Sequence, residues 1–287
     1  MIHGVVGVAS SIPTVLTQLT GVSFDDLGVI AQTSTEIAAR IGAIDTILSV
    51  EGNTIPASGA VALTALSPKI VNHTGPDTVI DGRAVQLAIR GTVNGVYGTL
   101  RRDQEGGRVN ADVPISAFTF VRFEAGAAVA CPPGTPFIPD NRELYRASPL
   151  LLRMGYNNRA DFQQVRQDHV ALFAWSQVPR ARILLLDPPI SYYDDAAAIA
   201  DSDRIAAFLQ EQATARGMLF FPVHGYVASR EGLADAGVTP TADDLAAIAD
   251  RRTPMSATTG DGLHYSAAMN RAVAARLAAF LRGAGAI

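Results

Sequence analysis

Lysine is almost missing from this 287-residue chain: of its 23 basic residues only Lys69 is a lysine, and the others are arginine. That bias is compositional and implies no chemistry of its own. Cysteine is as scarce. A single Cys131, in Ala-Val-Ala-Cys-Pro-Pro, forms no internal disulfide and no metal cluster. Its neighbours are apolar and supply no base, so it reads as a packed or semi-exposed structural thiol, not a nucleophile. Long apolar runs are missing too, since nothing approaches the roughly 18 residues of a membrane helix. No membrane span is therefore expected. Nor is there an excess of one charge: a net −4, with acids and bases interspersed, leaves no electrostatic footprint for nucleic acid. No charged stretch followed by an apolar one opens the chain, so no signal peptide is visible and no compartment is assigned. His3, His73, His169 and His224 show no paired ligand spacing, and neither a metal nor another cofactor is expected.

What the chain does have is enough apolar material, 48% of residues, for one large or two small domains with a real core. Its texture changes twice. Residues 1–45 carry helical patterns, one over Ile12 to Leu19 with Pro13 near its start and one over Ser34 to Ile41 behind a Thr/Ser cap. Residues 46–148 alternate short β-prone runs (Ala60 to Thr64, Ala84 to Ile89, Phe118 to Phe123) with turns at Glu51-Gly52-Asn53, Asp81-Gly82, Asn94-Gly95 and Glu105-Gly106-Gly107. That spacing predicts an inserted all-β unit of sandwich or barrel type. From residue 149 an α/β rhythm returns. Leu150 to Gly155, Ala181 to Asp187 and Met218 to Val223 read as buried parallel strands, and Phe162 to Trp175, Asp194 to Arg216 and Ala267 to Leu281 as helices, the last stopping near Gly283. The expected architecture is one discontinuous α/β domain, 1–45 with 149–287, carrying a β domain over 46–148.

Three segments hold residue types suited to chemistry. The first is Thr258-Thr259-Gly260-Asp261-Gly262-Leu263-His264, directly before the last helix. An Asp three residues ahead of a His on a turn can accept the imidazole Nδ1–H, which leaves Nε2 free as a general base. The same spacing also occurs as a helix cap beside a surface histidine. The second is Met154-Gly155-Tyr156-Asn157-Asn158, after a strand, where Asn157 can offer its amide to an oxyanion or serve only as a turn residue. The third is Leu27 to Ile37, a short apolar stretch turning into a helix through small residues, whose backbone N–H groups suit an oxyanion or an ordinary connection equally. His169 and His224 read as structural histidines.

Taken in order, these segments resemble the SGNH hydrolase superfamily, the GDSL-like serine esterases, and most closely bacterial members with a β insertion. Gly28 to Ala43, with Gln32-Thr33-Ser34-Thr35-Glu36-Ile37-Ala38-Ala39-Arg40, is similar to the second family block. Gly155-Tyr156-Asn157-Asn158 is similar to the block supplying the oxyanion Asn, and Asp261-Gly262-Leu263-His264 to the final block supplying acid and base. The resemblance implies a three-layer α/β/α fold with a parallel sheet. It implies ester hydrolysis through an acyl-enzyme, with His264 as base, Asp261 as its orienter, and Asn157 and the Ala31 backbone N–H as oxyanion donors. The substrates it implies are small acyl esters, such as O-acetyl groups on carbohydrate, so the expected partner is a small-molecule or glycan ester. Ile30 and Ala31 stand where the family has glycine. The family's Gly-Asp-Ser block is not in the sequence: Met1-Ile2-His3-Gly4 resembles the residues just after that block, and Ser10 and Ser11 lack its context. The nucleophile is therefore expected outside these 287 residues, and the chain as it stands is expected to be inactive. The competing expectation is a non-catalytic relative that binds carbohydrate or a partner in the same cleft.

Overall fold

The computed structural model describes residues 11–25, 32–71, 79–80, 83–84, 88–102 and 114–287. The opening block through Ser10, the turn at 28–31 with Ala31, His73, and the clusters at 81–82 and 105–107 lie outside the described residues. The chain divides into two compact units. One comprises Met1–Gly28, Pro149–Arg166 and Val178–Ile287, the other Val29–Ser148 and Gln167–Gln177.

Two short helices come first. Helix α1 (Ile12–Thr20) begins at Ser11, whose hydroxyl accepts from the Thr14 N–H, and ends at Gly21 in the left-handed conformation (φ 71°). Helix α2 (Ser34–Arg40) begins with a reciprocal capping box between Thr33 and Glu36.

The β region is a closed barrel of six antiparallel strands. In chain order its strands are β1 (Thr46–Val50), β3 (Ala60–Ser67), β6 (Ile89–Val93), β7 (Val96–Arg102), β8 (Phe118–Arg122) and β10 (Thr135–Pro139). Around the barrel they run β1-β10-β6-β7-β8-β3. Two small pairs accompany them, β2 (Thr54–Ile55) with β9 (Val129–Ala130) and β4 (Val79–Ile80) with β5 (Arg83–Ala84). Asn94 and Gly95, both at positive φ (43° and 81°), make the two-residue hairpin between β6 and β7. Alternation does the rest: Leu48, Leu100, Phe118, Phe120 and Phe137 point inward and are buried. Cys131 is buried in the same core.

Of the strand expected over Ala84 to Ile89, residues 85–87 lie outside the described residues; Ala84 ends β5 and Ile89 opens β6, which carries a glycine in its interior. Gly91 pairs with Gly98 across β6 and β7. A Cβ at Gly91 would lie 2.3 Å from the Ile138 carbonyl oxygen, and one at Gly98 would lie 2.5 Å from the Phe120 ring. Only glycine lets the ladder approach its neighbours this closely.

After α3 (Arg142–Arg146) the α/β unit's sheet follows. Strands β11 (Leu150–Leu152), β12 (Ile183–Leu186) and β13 (Leu219–Phe221) are parallel and adjacent in that order. Every residue of β12 is buried, as a central parallel strand requires. Helices α4 (Phe162–Trp175) and α5 (Ala196–Arg216) fill the connections, then α6 (Val223–Val227), α7 (Arg230–Asp235), α8 (Ala242–Ala249) and α9 (Ala267–Gly283). Ile12, Val15 and Leu16 of α1 share one core with Leu184, Leu186, Met269, Val273 and Leu277. The strands are shorter than expected: β11 stops at Leu152 instead of Gly155, and β12 covers Ile183–Leu186 instead of Ala181 to Asp187. Pro222 cannot donate to the ladder, so β13 ends at Phe221 and Val223 opens a helix. Helix α9 ends at Gly283, as expected, and the left-handed residue beyond it is Gly285 (φ 65°). The result, among the described residues, is a mixed α/β fold with a parallel sheet and a closed barrel.

Candidate active site at the carboxyl edge of the sheet

The loop between α8 and α9 folds back as a narrow turn. Thr258 and Tyr265 form a β-bridge, the Thr259 N–H donates to the His264 carbonyl (2.8 Å), and Ser266 caps α9. Gly260 and Gly262 take positive φ (96° and 73°), which reverses the chain within four residues. Asp261 and His264 project from this turn, both exposed.

Their geometry is specific. Asp261 Oδ1 accepts the N–H groups of Leu263 (3.0 Å) and His264 (2.9 Å), and Oδ2 lies 2.5 Å from His264 Nδ1. Partial burial works against the charged carboxylate, but the two amides and the imidazole outweigh it and hold Asp261 below the usual carboxylate pKa. An ionised carboxylate has no proton to give, so Nδ1 must be the donor. In the neutral ring that is the tautomer with Nε2 unprotonated. Among the described residues none bonds to Nε2.

Asn157 sits on the turn after β11. Gly155 makes that turn, at φ 105° and with the Val165 side chain 2.8 Å from where a Cβ would stand. Asn157 itself is exposed. Its neighbour Tyr156 hydrogen-bonds with Arg159 and Ser191, and the Arg159 guanidinium lies 4.5 Å from the Tyr156 ring centroid. Burial raises the Tyr156 pKa, and the Asp194 carboxylate adds to that. Arg159 grips Asp194 with two bonds (2.6 and 2.7 Å), Asp194 accepts the Ser191 N–H (2.8 Å), and Ser191 Oγ donates to the Gly262 carbonyl (3.0 Å). The Tyr192 N–H donates to the same carbonyl (2.8 Å), and the exposed Tyr193 ring packs where a Gly262 Cβ would be. The post-β11 turn, the post-β12 segment and the Asp261–His264 loop are thus joined at one edge of the sheet. Ala31 lies outside the described residues.

Beneath the edge is a buried polar cluster that no local pattern announced. Arg153, 4% exposed, donates Nε to the Asp187 carbonyl (3.0 Å) and Nη2 to the Tyr265 hydroxyl (2.6 Å). Tyr265 directly follows His264, so Arg153 braces the turn from below. Burial raises the Tyr265 pKa against the pull of Arg153. Burial also pushes the Asp187 carboxyl up to about 6, opposed by Arg153 and by the His224 and Val223 amides. His224 is neutral: burial takes it down to about 4, while Nδ1 accepts the Ile190 N–H (3.4 Å) and Nε2 donates to the Arg251 carbonyl (2.8 Å). It is a satisfied structural histidine. His169 is buried in α4.

Ser11 is spent on structure: its hydroxyl caps α1 and bonds Thr14 Oγ1 (2.9 Å). Ser10 lies outside the described residues. Among the described residues no helix is long and apolar enough to cross a membrane.

No family model and no curated protein matches the chain. Among solved structures, "Peptidoglycan O-acetylesterase in action, 5 min" is similar over 80% of this chain and 69% of that chain, with 15% identity and a TM-score of 0.33. A likeness of that size carries no argument about fold or chemistry.

Proposed function

We propose that the α/β unit is an ester hydrolase of SGNH type, a three-layer α/β/α domain formed by residues 1–45 and 149–287 with the 46–148 β domain inserted. His264 is its general base and Asp261 the orienting carboxylate. The Asn157 side chain and the Ala31 backbone N–H receive the oxyanion. The substrates are small acyl esters, with O-acetylated carbohydrate the preferred class. One observation carries the reading: a carboxylate held by two backbone amides locks a partly exposed imidazole through Nδ1, on a turn hydrogen-bonded to the post-β12 segment, whose Asp194 is gripped by Arg159 of the turn that carries Asn157. Such an arrangement positions a base for a hydroxyl nucleophile.

No described serine is assigned as that nucleophile. A non-catalytic binding role is the second reading, favoured by the structural employment of the hydroxyls of Ser11, Ser191 and Ser266. The deciding experiment compares the 287-residue chain with one extended by the codons upstream of Met1, on p-nitrophenyl acetate and with fluorophosphonate labelling. Loss of a triad serine costs on the order of 10⁶ in kcat. The shorter chain is expected to be silent and unlabelled, and the extended one active through a Gly-Asp-Ser. Turnover and labelling at Ser10 or Ser11 would place the nucleophile within the sequence given, and silence of both chains would favour the binding reading.

A further inference from the structure

Each barrel strand buries one row of side chains and turns the alternate row outward. Across four strands the outward residues line up. Ile138 of β10 pairs with Thr92 of β6, and Thr92 pairs with Tyr97 of β7. The Phe123 N–H, just past β8, donates to the Tyr97 carbonyl (3.0 Å). Ile138, Tyr97 and Phe123 thus share one outer strip, where they are 43%, 43% and 51% exposed. An apolar strip that crosses adjacent strands on an outer face calls for an occupant in a way that a single exposed side chain does not.

The aromatic pair is held in place. The Tyr97 and Phe123 rings stack with centroids 5.0 Å apart and planes 18° from parallel. The Tyr97 hydroxyl donates to Asp140 Oδ2 (2.5 Å), and the Arg90 guanidinium lies 5.4 Å from the Phe123 ring centroid. A ligand that lands on rings already ordered does not have to order them. The flanks are polar and balanced in charge. On one side the Asp140 N–H donates to the Arg90 carbonyl (3.0 Å), so these two opposite charges adjoin. On the other, Glu124 follows Phe123 and is offset by Arg122, whose guanidinium bonds the carbonyls of Pro56, Glu124 and Ala127.

These features select the occupant. Three side chains, each about half exposed, offer on the order of 300 Å² of apolar surface. A stable protein interface needs roughly 800 Å² on each partner, so a second copy or a globular partner is poorly served. Balanced charge gives an anionic bilayer or a nucleic acid nothing to hold. A small neutral ligand with an apolar face and a polar rim fits both limits. A β-linked gluco-configured pyranose has that form. Its substituents are equatorial, so its axial C–H groups make a flat, weakly positive face that suits the negative face of an aromatic ring. We propose that this strip binds a β-linked gluco-type oligosaccharide. One sugar ring lies against Tyr97 and Phe123, its rim hydroxyls donate to Asp140 and accept from Arg90, and Ile138 meets the neighbouring ring. The inference concerns the barrel alone and does not rest on the esterase reading.

The test is a ¹H–¹⁵N NMR titration of the 287-residue chain with cellotetraose, and with sorbitol and cyclohexanol in parallel. Sorbitol has the hydroxyls without the ring face, and cyclohexanol has a ring without the rim of hydroxyls. Cellotetraose should give saturable shifts at the Thr92, Gly98 and Glu124 amides and none along β12. Its affinity should exceed that of cyclohexanol by at least about tenfold, and sorbitol should give no shift. Phe123→Ala, at a half-exposed position, should weaken cellotetraose at least about tenfold with the fold intact. Tyr97→Phe keeps the ring but loses the bond to Asp140, and should weaken it about threefold. Equal affinity for cyclohexanol would show a merely apolar patch. Shifts at the same amides on raising protein concentration alone would show a second copy, and shifts with phosphatidylglycerol vesicles a membrane. Any of these, no saturable shift with cellotetraose, or full affinity in folded Phe123→Ala would overturn the proposal.

Discussion

The barrel and the edge of the parallel sheet are held together by different physics. The barrel interior is almost wholly apolar, built on Leu48, Leu100, Phe118, Phe120 and Phe137, and its tightest constraint is steric, at Gly91 and Gly98. The sheet edge instead buries Arg153, Asp187, His224 and Tyr265, none more than 8% exposed. Burying ionisable groups costs free energy that an apolar replacement would not. In the barrel Arg102, 6% exposed at the end of β7, carries that cost, whereas at the sheet edge four such groups lie together beneath the Asp261–His264 turn. A connected cluster of buried polar groups at this edge is the pattern expected of a site that must hold side chains in fixed positions.

The comparison breaks most visibly at Arg153. Arg153→Met removes the charge facing Asp187 and strands the Tyr265 hydroxyl and the Asp187 carbonyl, so it should cost about 3–5 kcal/mol in denaturant unfolding. Its counterpart in the barrel, Gly98→Ala, should cost about 1–3 kcal/mol by overpacking against Phe120. The barrel variant's loss should not change with pH. If Gly98→Ala proves the more damaging, the sheet edge is not the electrostatic keystone described.

A second test sharpens the contrast through pH. Asp187 is raised from 3.8 to about 6, so the folded state binds the extra proton and stability from this group falls as pH climbs across that interval. His224 is lowered from 6.5 to about 4, so the unfolded state binds the extra proton and stability from this group rises as pH climbs from about 4 to 6.5. Each effect is about 3 kcal/mol, and between pH 4 and 6 they oppose one another. The wild-type contribution from the pair should therefore be nearly flat there. Asp187→Asn leaves His224 alone, and its stability relative to wild type should climb from pH 4 to 6, measured by urea midpoints. A difference that is constant over that range would show that the two groups are not perturbed as described.

Legibility in the sequence divides along the same line. Helix α4 was legible to the residue, because Phe162 to Trp175 has its period and flanks intact. The β region was legible from turn chemistry such as Asn94-Gly95, which depends on local backbone alone. The start of β6 was obscured because Gly91 lowers strand propensity and its reason lies across the sheet at Ile138. In the site, the hydrogen bond between Asp261 and His264 was legible because three residues and two glycines determine it. Arg153, Asp187 and Tyr265 were not. An Arg after three leucines and an Asp before two prolines look like strand ends, and only the parallel pairing of β11 with β12 brings them together.

The smallest effect belongs to the link between the turns. Tyr156→Phe removes the hydroxyl that meets Ser191 and Arg159, and it should cost about 1 kcal/mol. It should also shift the Gly262 amide resonance through Ser191 while leaving barrel amides unmoved. A silent Gly262 would disconnect the Asn157 turn from the Asp261–His264 loop.

The central claim is that Asp261 sets the His264 tautomer so that Nε2 is free to take a proton. Long-range ¹H–¹⁵N correlation of the neutral imidazole measures this directly, in the wild type and in Asp261→Asn. The expected result is a neutral ring protonated at Nδ1 in the wild type and a marked shift towards protonation at Nε2 in the variant. A wild-type ring already protonated at Nε2, or a tautomer indifferent to Asp261→Asn, would contradict that claim.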